Sequence, residues 1–165
     1  MCFVALVVYP SVVAQSEEMF SIYLVRHSEK DLNSDNTSDL PLSECGHQRS
    51  SALSNFLDDV HLDAVYSTDY TRTLNTALPT ANDRDLEITL YNTQDLECFS
   101  DFLLEAEQNA LVVGHSNTTG VLAGLLVNQE IGDINLDIYD RIYQVVISGE
   151  SRQLQMFHST FICVQ

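Results

Sequence analysis

Basic residues are scarce in this chain of 165. Seven Lys and Arg stand against 24 Asp and Glu, for a formal net charge of −17. A surface of that sign repels nucleic acid and anionic lipid, so neither is an expected partner. Long apolar runs are also missing. The uncharged stretch from Cys2 to Ala14 falls short of the roughly 20 residues that a membrane-spanning helix needs. Cysteine occurs four times but never as C-x-x-C, which argues against a zinc site. No internal repeat is present. With so few cations, the position of each Lys and Arg becomes informative.

What remains is the composition of a soluble globular domain, 45% hydrophobic and 19% charged. Its start reads as an export signal. Val12 and Ala14 place small side chains three and one residues before a cleavage point, and the polar Gln15, Ser16, Glu17 and Glu18 follow. The expected division is therefore a signal peptide over 1–14 and one domain over 15–165, in a periplasmic or secreted protein. The alternative is an additional N-terminal core strand in a cytoplasmic one. Removing the leader removes Cys2 and leaves Cys45, Cys98 and Cys163. One disulfide can then form in an oxidising compartment, with the pair left open.

Short apolar runs alternate with helical patterns. Ile22–Val25, Ala64–Ser67, Leu86–Leu90 and Ala110–Val113 read as strands, and Tyr143–Ile147 with Leu154–Phe157 as a closing pair around a turn at 148–151. Helical faces are expected at Ala52, Leu53, Phe56, Leu57 and Val60, capped by Ser43. Others are expected at Leu74, Ala77, Leu78 and Ala81, capped near Asp69 or Thr71, and at Leu96, Phe99, Phe102, Leu103 and Ala106. A fourth follows at Val121, Leu122, Leu125 and Leu126. This order predicts an α/β fold: a three-layer α/β/α sandwich around a mainly parallel sheet.

Ligands in such folds bind beyond the carboxyl ends of the strands. Three predicted strands run into cationic or imidazole residues there: the first into Arg26 and His27, the second through Ser67-Thr68-Asp69 to Arg72, the fourth into Gly114 and His115. An acidic chain that gathers two of its seven basic side chains at one rim is offering a site for an anion. The planar fork of Arg suits phosphate.

Those residues also resemble a known pattern. Leu24-Val25-Arg26-His27-Ser28-Glu29-Lys30, Leu42 to Ser50 (LSECGHQRS), Tyr66 to Thr73 (YSTDYTRT) with Thr76-Ala77, and Val113-Gly114-His115-Ser116 resemble, in order, the motifs of the histidine phosphatase superfamily. That superfamily is also called phosphoglycerate mutase-like, and Tyr139-Asp140-Arg141-Ile142-Tyr143 fits its short members. The resemblance implies a phosphoglycerate mutase-like fold and a phosphomonoester hydrolase. His27 would be the nucleophile, and Arg26, Arg72 and His115 would bind and stabilise the phosphoryl oxygens, with Ser116 adding a backbone N–H. It implies no metal and no cofactor, and a small phosphorylated substrate. A phosphatase is favoured over a mutase in an exported chain. The proton donor is open between Asp95, Glu97 and Glu29.

Two other classes compete. One is a non-catalytic phosphate- or anion-binding domain of the same fold. The other is a serine esterase, because Gly114-His115-Ser116-Asn117-Thr118 approximates a nucleophile elbow, with Asp137 or Asp140 and then His158 downstream. The elbow's last position is Thr rather than Gly, and Arg26, His27 and Arg72 would have no role in it. Asp31, Asn33, Asp35, Thr37 and Asp39 share the early spacing of a calcium loop, but lack its Gly and its closing Glu. A solvated loop at the mouth of the site is the expected reading.

Overall fold

The computed structural model describes residues 18–163. The expected signal peptide lies outside these residues. Six strands and four helices follow one another as β1 (Met19–Arg26), α1 (Glu44–Phe56), β2 (Ala64–Ser67), α2 (Thr71–Asn82), β3 (Ile88–Leu90), α3 (Leu96–Ala106), β4 (Ala110–Gly114), α4 (Thr119–Val127), β5 (Arg141–Ser148) and β6 (Ser151–His158).

The strands form one sheet in the order β3-β2-β4-β1-β5-β6. The first four are mutually parallel; β5 pairs antiparallel with β1, and β6 with β5. This is the mainly parallel α/β sandwich expected from the sequence. Alternation along β1 shows why two helical layers are needed. Phe20, Ile22 and Leu24 enter a cluster with Phe99, Leu103, Leu122 and Leu126 of α3 and α4. Tyr23 and Val25 enter another with Leu53, Ala77 and Ala81 of α1 and α2. A strand covered on both faces must be apolar at every position, as β4 (ALVVG) is throughout.

The helical faces depart from the expected stripes in one respect. Phe56, Leu78 and Phe102 are half exposed, at 46%, 44% and 47%. The buried positions of α2 are instead Thr73, Thr76, Ala77, Thr80 and Ala81, and those of α1 include Gly46, Ser50 and Ser54. Small and hydroxylated side chains let these two helices approach closely. Most of their hydroxyls are paired locally: Ser54 Oγ donates to Asp83, Thr73 Oγ1 to the Tyr70 carbonyl and Thr76 Oγ1 to the Arg72 carbonyl, while the buried Thr80 hydroxyl has no partner among the described residues. Reading apolarity alone misses such a face.

α1 is pinned by the expected Ser43 cap, whose hydroxyl accepts from the Gly46 N–H at 3.1 Å. Gly46 is required there for a second reason: a Cβ would come within 2.2 Å of the Glu29 carbonyl oxygen. The start of α1 therefore rests on the backbone that follows β1. At the other end of the chain, Cys45 and Cys163 form a disulfide, and Cys98 is free and exposed.

Candidate active site

The strands that end in Arg26-His27, Ser67-Thr68 and Gly114-His115 are three neighbours, in the order β2-β4-β1, and all three run parallel. Their carboxyl ends therefore open onto one cleft of about 310 Å³. It is lined by Arg26, His27, Lys30, Tyr70, Arg72 and His115, with Ser116 to Thr118 along one edge. Arg26, His27, Arg72, His115 and Ser116, named from the sequence, all meet here.

His27 is buried, and its Nδ1 lies 2.8 Å from the Ser28 carbonyl oxygen. A carbonyl only accepts, so Nδ1 carries the proton and Nε2 keeps its lone pair. Burial pushes the imidazole down to about 3, and the Arg26 and Arg72 charges act in the same direction. The ring is neutral across the physiological range. His115 is likewise pushed down to about 4, first by burial and then by Arg72 and Arg26. Its Nε2 lies 2.9 Å from Thr68 Oγ1, and Thr68 Oγ1 in turn lies 2.9 Å from Thr73 Oγ1. The two imidazoles sit edge to face with centroids 5.5 Å apart.

The arginines are held by less obvious partners. Arg26 Nη1 donates to the Leu136 and Ile138 carbonyls at 2.7 and 3.0 Å, and its guanidinium stacks 4.2 Å above the Tyr139 ring. Burial lowers its pKa from the ordinary arginine value, with the Tyr139 contact opposing. Arg72 lies 4.3 Å above the Tyr70 ring, and its Nη1 is 3.5 Å from Asp39. The Nε groups of both arginines are buried with no partner among the described residues. A buried N–H without an acceptor costs roughly 1–3 kcal/mol.

Asp39 was expected only as part of a solvated loop. Its carboxylate instead accepts from Thr71 N–H at 3.0 Å and Thr71 Oγ1 at 2.6 Å. It caps α2 from a distance, in place of the expected Asp69 or Thr71. Burial raises its pKa, but the Thr71 hydrogen bonds and the Arg72 charge outweigh that and hold the carboxyl below the ordinary value. No sequence spacing could have paired Asp39 with Thr71. Thr68 and Tyr139, by contrast, lay inside recognised motifs.

The three proton-donor candidates lie elsewhere. Asp95 caps α3, accepting from the Cys98 N–H at 3.0 Å. Glu97 is exposed in the first turn of α3. Glu29 is held by Arg49 in a paired contact, with distances of 2.6 to 2.9 Å. Among the described residues, no carboxylate lines the cleft. The esterase geometry does not assemble either. His158 and Asp140 do pair at 3.0 Å, but at the end of β6, three strand spacings from β4 and Ser116. At about 4.8 Å per strand, that is roughly 14 Å.

Residues 22–95 match the family model described as the histidine phosphatase superfamily (branch 1). No curated protein matches the sequence significantly. Several solved structures share the fold. The protein histidine phosphatase SixA complexed with tungstate superposes with a TM-score of 0.71 at 17% identity, covering 85% of this chain and 97% of its own. The alpha-ribazole phosphatase from Shigella flexneri gives 0.71 at 19%, covering 88% and 100%. The phosphoserine phosphatase from Entamoeba histolytica, in complex with 3-phosphoglyceric acid, gives 0.68 at 16%, covering 86% and 98%. At such identities the likeness establishes the fold.

Proposed function

We propose that this chain hydrolyses phosphate monoesters through a phosphohistidine on His27. One observation carries the reading: a neutral His27, its proton held on Nδ1 by Ser28, faces a cleft where Arg26, Arg72 and His115 converge. The family match over 22–95 and the phosphatases that share the fold support it.

In the first step, Nε2 attacks phosphorus, the bond from phosphorus to the leaving oxygen breaks, and that oxygen takes a proton from solvent. In the second, a water oxygen attacks phosphorus and the P–N bond breaks. Phosphate leaves, and His27 returns to its neutral form. The fixed guanidinium charges stabilise the equatorial oxygens in both steps, so no metal is required for that purpose. Because no carboxylate among the described residues lines the cleft, leaving groups of low proton affinity are the preferred substrates. The setting we propose is periplasmic or secreted, where the Cys45–Cys163 bond persists. Terminal sequencing of the exported protein checks cleavage after Ala14; an intact, retained start would overturn it.

The test is turnover of an aryl phosphate with chelator present, combined with acid-quench trapping of the phosphoenzyme. His27→Ala is expected to abolish both. Tight phosphate binding without turnover would favour the anion-binding reading, and loss of activity in Ser116→Ala but not in His27→Ala would refute the mechanism.

A further inference from the structure

The cleft does not end at Tyr70. Tyr70 and Thr93 also border a neighbouring depression of about 400 Å³, and Leu90, Tyr91 and Asn92 connect that depression to a third of about 340 Å³. The shared residues place the three depressions side by side, in succession from the two imidazoles past the end of β3 to the start of α3. Their character changes along the way. The far end is aromatic: Tyr91 stacks on Phe99 with centroids 4.3 Å apart and planes 5° from parallel, and Phe102 packs beside Phe99 at 6.1 Å.

Leu90 and Phe102 are 52% and 47% exposed at this end, and both line the third depression together with Tyr91 and Phe99. Charge is one-sided. Asp69 and Asp95 border the outer two depressions, which no Lys, Arg or His among the described residues lines. All the cationic attraction is confined to the phosphate end.

Resting on the phosphatase reading, we propose that the outer two depressions act as a groove that receives the leaving group of the substrate, and that this group is an uncharged aromatic or extended apolar moiety. Adjacency to the cleft sets the occupant: a molecule whose phosphoryl group lies between His27 and His115 extends past Tyr70 onto Tyr91, Leu90 and Phe102. The carboxylates along the groove exclude leaving groups that carry further negative charge. Leu90 and Phe102 are the specificity-determining side chains, with no part in phosphoryl transfer.

The test compares phenyl phosphate, which fills only the cleft, with 4-benzyloxyphenyl phosphate, whose phenol has a closely similar pKa. The longer ester is expected to show about 10-fold higher kcat/KM, from burial of its second ring. A carboxylate on that ring is expected to remove the advantage. Leu90→Ser with Phe102→Ser should cancel the preference and leave phenyl phosphate turnover unchanged; both residues are half exposed, and circular dichroism checks that the variant folds. Equal kcat/KM for the two esters would overturn the proposal. If neither ester is hydrolysed, the phosphatase reading fails separately. The groove is then judged by NMR titration with 4-benzyloxyphenol: saturable binding lost in the double variant supports it, and no binding overturns it.

Discussion

Replacing Asp39 separates two roles that one carboxylate plays. It accepts from the Thr71 N–H and hydroxyl at the start of α2, and it lies 3.5 Å from the guanidinium of Arg72. Loss of a helix cap costs about 1 kcal/mol. The ion pair adds less, because Asp39 keeps 32% side-chain exposure and water screens the pair. Asp39→Ala is therefore expected to destabilise by ~1–2 kcal/mol, with a melting temperature lower by roughly 2–8 °C. Asp39→Asn retains an oxygen that can cap and removes only the charge. It should recover most of the stability while still lowering kcat/KM, because Arg72 loses the anion that orients it. Urea unfolding and initial-rate kinetics on the three proteins decide the matter. If Asp39→Ala unfolds at the wild-type urea midpoint, the remote cap contributes nothing. If Asp39→Asn matches wild type in kcat/KM, Arg72 does not depend on it.

Two further outcomes follow from the same structure. His27 and His115 are held down to about 3 and 4, chiefly by burial, whereas the unfolded imidazoles titrate near 6.5. The unfolded chain therefore binds protons first, so stability is full above about pH 6.5 and falls as pH drops toward 4. His27→Gln should flatten that slope in urea titrations between pH 7 and 4, and an unchanged slope would contradict the buried, neutral imidazole. Reduction of Cys45–Cys163, or Cys163→Ser, reopens a loop with a sequence separation of 118 and should cost ~2–4 kcal/mol. Identical unfolding midpoints with and without reductant would show that the bond constrains little.

The sheet and the cleft floor were readable in the sequence because both rest on short-range signals. Continuous apolar runs marked the parallel strands, and Arg26-His27, Arg72 and His115 followed them at fixed offsets. What stayed hidden depends on tertiary placement. The α1–α2 packing adds buried Ser50, Ser54, Thr73, Thr76 and Thr80 to the apolar Leu53, Ala77 and Ala81, and those hydroxylated positions carry no apolar signal. Asp39 reaches Thr71 only because the 31–41 loop folds back across the site. The disulfide partner of Cys45 could not be chosen until the strand after β5 brought the chain's end back over α1. The depressions beyond Tyr70 were invisible for the same reason: Phe102 lies on the apolar stripe of α3, yet it is 47% exposed.

The position of β1 also sets the order in which this molecule can be assembled. β1 precedes the other described strands in the chain but occupies the interior of the sheet, between β4 and β5. During synthesis it leaves the ribosome with both edges unpaired and stays so until residues 110–114, and then 141–148, have followed. A chain interrupted before β4 thus has Arg26 and His27 but no frame to hold them. His27 is made early and framed late, with a folding rate governed by these distant pairings. In the interval, the apolar run of β1 is a strand edge open to other chains, and its protection falls to whatever holds the nascent polypeptide.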